Sequence, residues 1–150
     1  MEDTNDAYIL STSMRYSQEL AQAFESDSYI RIDRTTPFGR AVATKITGLL
    51  SGAEGPCFYQ DHRIIEHDLG PLDPADIMSS DNPSEVNRET FARLVNEKVG
   101  YRSLFLKEST YAAQVEYRFV WVTSSAPDDY LDIKVPEAIE FCSRPNVVTE

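Results

Sequence analysis

The stretch from Lys107 to Val122, KESTYAAQVEYRFVWV, constrains this chain more than any other. From Gln114 its residues alternate. Val115, Tyr117, Phe119 and Trp121 fall on one side, Gln114, Glu116, Arg118, Val120 and Val122 on the other. A period of two is the signature of a β-strand. The first side is wholly large and apolar, as a core face must be. The second begins with three polar groups and then turns apolar, so the spacing predicts a buried strand with a polar entrance. Burying Gln, Glu and Arg unpaired is costly. They must either satisfy one another or line a site, and the pattern leaves both readings open.

The rest of the chain predicts what surrounds that strand. Ala7–Leu10 reads as a short buried strand running into Ser11-Thr12-Ser13, a hydroxyl triplet that reads as a turn or helix cap. A helix is expected over Arg15–Phe24 and a strand over Ser28–Ile32. Thr36-Pro37 opens a second helix with an N-cap hydroxyl and a proline at the first helical position. Its apolar stripe is Phe38, Val42, Ile46 and Leu49, and Gly52 and Gly55 end it. Pro56–Tyr59 is a strand candidate, with Arg63–Glu66 continuing it or pairing with it. Leu69–Asp81 is a loop, and Asn82-Pro83-Ser84-Glu85 starts a third helix that Gly100 closes. Leu104–Leu106 and Tyr130–Val135 read as strands, Ser124–Asp129 as a turn, and Ala138–Cys142 as a strand or short helix. Residues 1–6 and 143–150 read as loose ends. Helices and strands are interspersed without regular alternation, which predicts one α+β domain of about three helices and a mixed, mostly antiparallel sheet.

Composition narrows the function classes. With 150 residues and 41% hydrophobic content the chain can bury a core without staples. Its net charge of −11 disfavours a general nucleic-acid surface and contact with anionic membranes. No apolar run is long enough for a membrane span, and the acidic start MEDTNDAY is unlike a secretory leader. The two cysteines, Cys57 and Cys142, lack metal or redox spacing and read as reduced, buried thiols of a cytoplasmic protein, with a disulfide between them as the alternative. Asp61, His62, Glu66, His67 and Asp68 match no common metal spacing and read as a solvated charged turn; no metal is expected. Asp128 with Asp132-x-Lys134 falls too close together for a nuclease core, and the chain carries no Walker loop, GxGxxG or HExxH motif.

Two resemblances add to this reading. An apolar strand leading into Ser11-Thr12-Ser13, with Gln114-Val115-Glu116 far downstream, resembles the ADP-ribosyltransferase pattern. That resemblance implies NAD as substrate and Glu116 as the catalytic carboxylate, holding the ribose and stabilising an oxocarbenium-like state as nicotinamide leaves. Gln114 would place the acceptor, whose identity the sequence does not encode. Ser11, Thr12 and Ser13 would support the nicotinamide pocket, with Arg118 and Lys107 either meeting the phosphates or tuning Glu116. The pattern also asks for an Arg or His on a strand before the triplet, and MEDTNDAYIL has neither; a missing N-terminal strand in a fragment is one explanation. The residues Tyr8–Ser13, Phe24, Tyr29–Ile32, Phe58-Tyr59, Leu106-Lys107, Tyr111 and Gln114–Val120 are also similar to a bacterial domain-of-unknown-function family, some of whose members sit beside phage-defence genes. This implies that Lys107, Tyr111, Glu116 and Arg118 form one cluster. The competing expectation is a non-catalytic binding or sensing module of a defence protein, with a structural Glu116–Arg118 pair.

Overall fold

The alternation from Tyr117 onward becomes the central strand of a three-stranded sheet. The computed structural model describes residues 6–62, 70–71, 73, 78, 87, 90–91, 100–124 and 130–145. Two compact units result, Met1–Cys57 with Thr110–Glu150, and Phe58–Ser109. The first unit contains strands β1 (Asp6–Ser13), β2 (Arg31–Ile32) and β3 (Leu49–Pro56), and helices α1 (Gln18–Ala23) and α2 (Thr35–Ala43). The second contains β4 (Phe58–Gln60) and β5 (Leu106–Glu108), which pair in parallel. Strands β6 (Glu116–Thr123) and β7 (Cys142–Ser143) return to the first unit. Short 3₁₀ helices span Gly100–Phe105, Ser109–Gln114 and Pro136–Phe141. The class is α+β, and no described helix is long and apolar enough to cross a membrane.

β6 lies between β1 and β3 and is antiparallel to both. Phe119 is 1% exposed and Val120 0%, so this strand is closed on both faces. Its aromatic face carries the core of the first unit. Phe119 and Trp121 pack with Val42 and Ile46 of the α2 segment, and Tyr8, Phe38 and Val135 border them. The Trp121 Nε1–H donates to the Gly39 carbonyl at 3.1 Å, satisfying the one polar atom of that ring. Helix and sheet approach closely here: a Cβ on Gly39 would stand 3.1 Å from the Phe119 ring. The start of α2 is tied to β3 by Thr36 Oγ1, which donates to Glu54 Oε1 at 2.5 Å.

Several boundaries differ from the sequence reading. Ser11-Thr12-Ser13 is neither a turn nor a cap but the end of β1, paired with Glu116–Arg118. Ser17, not Ser13, caps α1, accepting from the Leu20 N–H at 3.1 Å. α2 begins at Thr35, with Arg34 and not Thr36 at its cap, and stops at Ala43; beyond it Gly48 takes a left-handed φ of 71° where the chain turns into β3. Leu49, Gly52 and Gly55 are therefore strand residues. The strand expected over Ser28–Ile32 shrinks to β2, paired with β7. Tyr130–Val135 alternates in sequence yet joins no ladder. Residues 63–69, 82–86 and 125–129 lie outside the described residues. So does most of the loop over 69–81. The Arg63–Glu66 pairing, the start of the third helix, the turn after Ser124, Asp128 and the group Glu66, His67 and Asp68 fall there.

α1 ends in a Schellman motif. The Ser26 N–H donates to the Ala21 carbonyl at 2.9 Å and the Glu25 N–H to the Gln22 carbonyl at 3.1 Å. This geometry needs a left-handed residue after the cap, and Glu25 fills it at φ 49°, where glycine is less strained. Glu25→Gly is therefore expected to stabilise the fold by about 0.5–1 kcal/mol, seen as a melting temperature higher by roughly 1–4 °C. A melting temperature that falls would show that the Glu25 side chain contributes more than its backbone strain costs.

Candidate functional site

The polar entrance of β6 is built by strand register. Ser11 stands opposite Arg118 and Ser13 opposite Glu116. Directly paired residues share a face, so Ser11, Ser13, Glu116 and Arg118 lie together on the side of β6 away from the aromatic core. There the Arg118 Nε–H donates to Glu116 Oε1 at 2.6 Å. The Ser11 hydroxyl donates to the same oxygen at 2.7 Å. The Glu116 side chain is 5% exposed and that of Arg118 16%. One buried carboxylate oxygen thus receives a charged and a neutral donor, while the Glu116 carbonyl accepts from the Cys57 N–H at 2.9 Å.

The rest of the hydroxyl triplet is held by backbone carbonyls. Thr12 points to the opposite face, and its hydroxyl donates to the Tyr117 carbonyl at 3.0 Å. Ser13 Oγ stands 2.7 Å from the Gln114 carbonyl and 2.9 Å from that of Arg15, and donates its single proton to one of them at a time. The triplet therefore divides: Ser11 meets the carboxylate, and Thr12 and Ser13 secure backbone carbonyls.

Gln114 is not on the strand. It ends the 3₁₀ helix Ser109–Gln114, and Val115 then takes φ 45° before β6 begins. A β-branched residue at positive φ is a genuine outlier. It is held by the Val115 N–H donating to the Ala112 carbonyl and by the Val115 carbonyl accepting from the Met14 N–H. The expected period-two placement of Gln114 beside Glu116 is thereby lost. Tyr111 sits in the same 3₁₀ helix, 44% exposed. Lys107 belongs to the second unit, on β5 opposite Tyr59.

A feature not read from the sequence is a groove of about 900 Å³ in the first unit. Ile9, Leu10, Ile30, Tyr130 and Ile139 line it, and Arg144 stands in its wall. Neither Ser11, Glu116 nor Arg118 is among its lining residues. Sequence patterns could not reveal it, because an apolar residue facing a groove and one facing the core leave the same trace. Cys142 lies in the groove wall, with its thiol 3.5 Å from the Ala138 carbonyl. Burial raises the thiol's pKa above its ordinary value, and the negative charge of Asp33 raises it further.

Comparison with family models, with curated proteins and with solved structures found no match.

Two outcomes follow from this geometry. Arg118→Met alone removes a cation bonded to a buried carboxylate and is expected to cost roughly 3–5 kcal/mol. The double change Glu116→Met with Arg118→Met removes both charges and should recover most of that loss, by chemical denaturation of both variants beside the native chain. An equal loss in both would mean that side-chain shape, and not charge pairing, matters at this position. Cys142, its thiol pKa raised by burial, should react with iodoacetamide more slowly than free cysteine, its rate climbing as pH rises above the ordinary thiol range. Labelling followed by peptide mass spectrometry reads this directly.

Proposed function

We propose that this domain is a non-catalytic binding module whose Ser11–Glu116–Arg118 cluster is structural, serving a defence protein as the resemblance stated above implies. One observation carries the reading. The Glu116 carboxylate is buried, and its Oε1 already accepts from Ser11 and from Arg118. A carboxylate that stabilises a departing nicotinamide must present itself to a ribose. Here the donors that would compete with a ribose hydroxyl are supplied by the chain's own strands. The groove beside β1 is lined by other residues.

A second reading has one observation in its favour. Ser11 and Glu116, 105 positions apart, meet at 2.7 Å, which brings one hydroxyl of the triplet and the glutamate of the transferase resemblance to one place. In that reading the domain moves ADP-ribose from NAD to an unidentified acceptor. Glu116 is the catalytic carboxylate, and Ser11 and Arg118 border the cofactor.

Nicotinamide release from NAD by the purified chain separates the two. The binding-module reading expects release no faster than without protein, and Glu116→Gln lowering the melting temperature. Release by the native chain that disappears in a still-folded Glu116→Gln would overturn it in favour of ADP-ribosyl transfer.

A further inference from the structure

The groove runs along the free flank of β1. Ala7, Tyr8, Ile9 and Leu10 all line it, although successive strand residues face opposite sides of a sheet. Only the strand's outer flank is common to all four. Among the described residues β1 pairs with β6 alone, and no backbone hydrogen bond joins that flank to another segment. The strand's sequence DAYILSTS contains no proline, no lysine and no arginine, the residues that most often guard an edge. Ile30 and Ile139, each 71% exposed, extend the apolar wall. Arg144 is the one charged residue of the lining, and it has no ion-pair partner among the described residues.

Three occupants fit an apolar groove, and the observations separate them. An acyl chain would cover the apolar walls and could set a carboxylate on Arg144, but it would leave the edge N–H and C=O groups of β1 without partners. A second copy of the chain would supply a strand, but it brings another net charge of −11, which opposes association. An extended polypeptide answers all three features: backbone groups for the edge, alternate side chains for the walls, and a carboxylate for the arginine. We propose that β1 and this groove take an extended apolar segment of a partner protein as an added strand, with a carboxylate of that segment on Arg144. The assignment rests on the binding-module reading.

Selection of random octapeptides displayed on phage, with the full chain as bait, tests this. Enriched sequences should alternate apolar residues and carry Asp, Glu or the free C-terminus at one end. Synthetic copies should slow hydrogen exchange of the β1 amides. Ile9→Lys and Arg144→Glu, both exposed changes, should each weaken binding at least tenfold while the melting temperature stays near native. Of two copies N-methylated on alternate residues, the one whose methyl groups face β1 should lose binding. No enrichment overturns the assignment. So does full affinity in both methylated copies, displacement of the peptide by dodecanoate at matched concentration, or dimerisation of the chain that Ile9→Lys abolishes. Any of these leaves the structural reading of Glu116 standing, because nicotinamide release decides that question separately.

Discussion

A carboxylate buried on the middle strand of a sheet can be held only if its donors arrive with it. Glu116 meets this condition through the chain's own pairing: Arg118 is two residues along the same face, and Ser11 comes from β1 in a fixed register. A slip of one residue between β1 and β6 would carry Ser11 to the other face and leave the carboxylate one donor short. It would also turn Tyr8 away from the aromatic side where it borders the core. The polar cluster and the aromatic core therefore enforce the same register from opposite faces of one strand. The cluster's net contribution to stability is modest at best, since desolvation opposes the Coulombic gain. Its larger effect is to make alternative pairings costly.

That double constraint explains what was legible in the sequence. Tyr117, Phe119 and Trp121 announced a strand because three large apolar side chains at period two have few other homes. Phe38, Val42 and Ile46 announced the helix that covers them. The Glu116–Arg118 pairing was legible as one of two alternatives, because it is local. What failed had non-local or backbone causes. Gln114 looked continuous with the strand because side-chain pattern carries no record of a positive φ at Val115. The stripe from Phe38 ran on to Leu49 because an apolar residue beginning β3 falls by chance on the helical period, and only Gly48 marks the break. Tyr130–Val135 alternates but finds no ladder, since alternation reports which side chains are buried and not whether a neighbouring strand exists. Ser11-Thr12-Ser13 read as a cap because hydroxyls are commonest there. Its place in β1 depends on partners more than a hundred residues away.

The transferase resemblance can be weighed in the same terms. Hydrogen bonds to a charged group contribute roughly 1.5–3 kcal/mol each. Freeing Glu116 Oε1 from Ser11 and Arg118 would therefore cost roughly 3–6 kcal/mol, leaving about one molecule in a hundred or fewer open to a ribose. NAD would have to repay that cost from its own contacts. Gln114, the residue that would place an acceptor, is carried off the strand by Val115. The same arithmetic leaves a non-catalytic role unburdened, because a structural cluster is strongest in the arrangement observed.

β1 connects the cluster to the groove. Its inner flank delivers Ser11 to Glu116, and Ala7–Leu10 along its outer flank line the groove. An edge strand held from one side opens more readily than one held from both, since half of its backbone groups face solvent. A strand added at the outer flank would make β1 an interior strand and suppress that opening. Linkage makes the effect reciprocal: whatever loosens the Ser11–Glu116 contact must also weaken the occupant of the edge by the same free energy. Under the proposal, then, the polar cluster need not touch a ligand to matter for binding. It sets how firmly the receiving strand is presented.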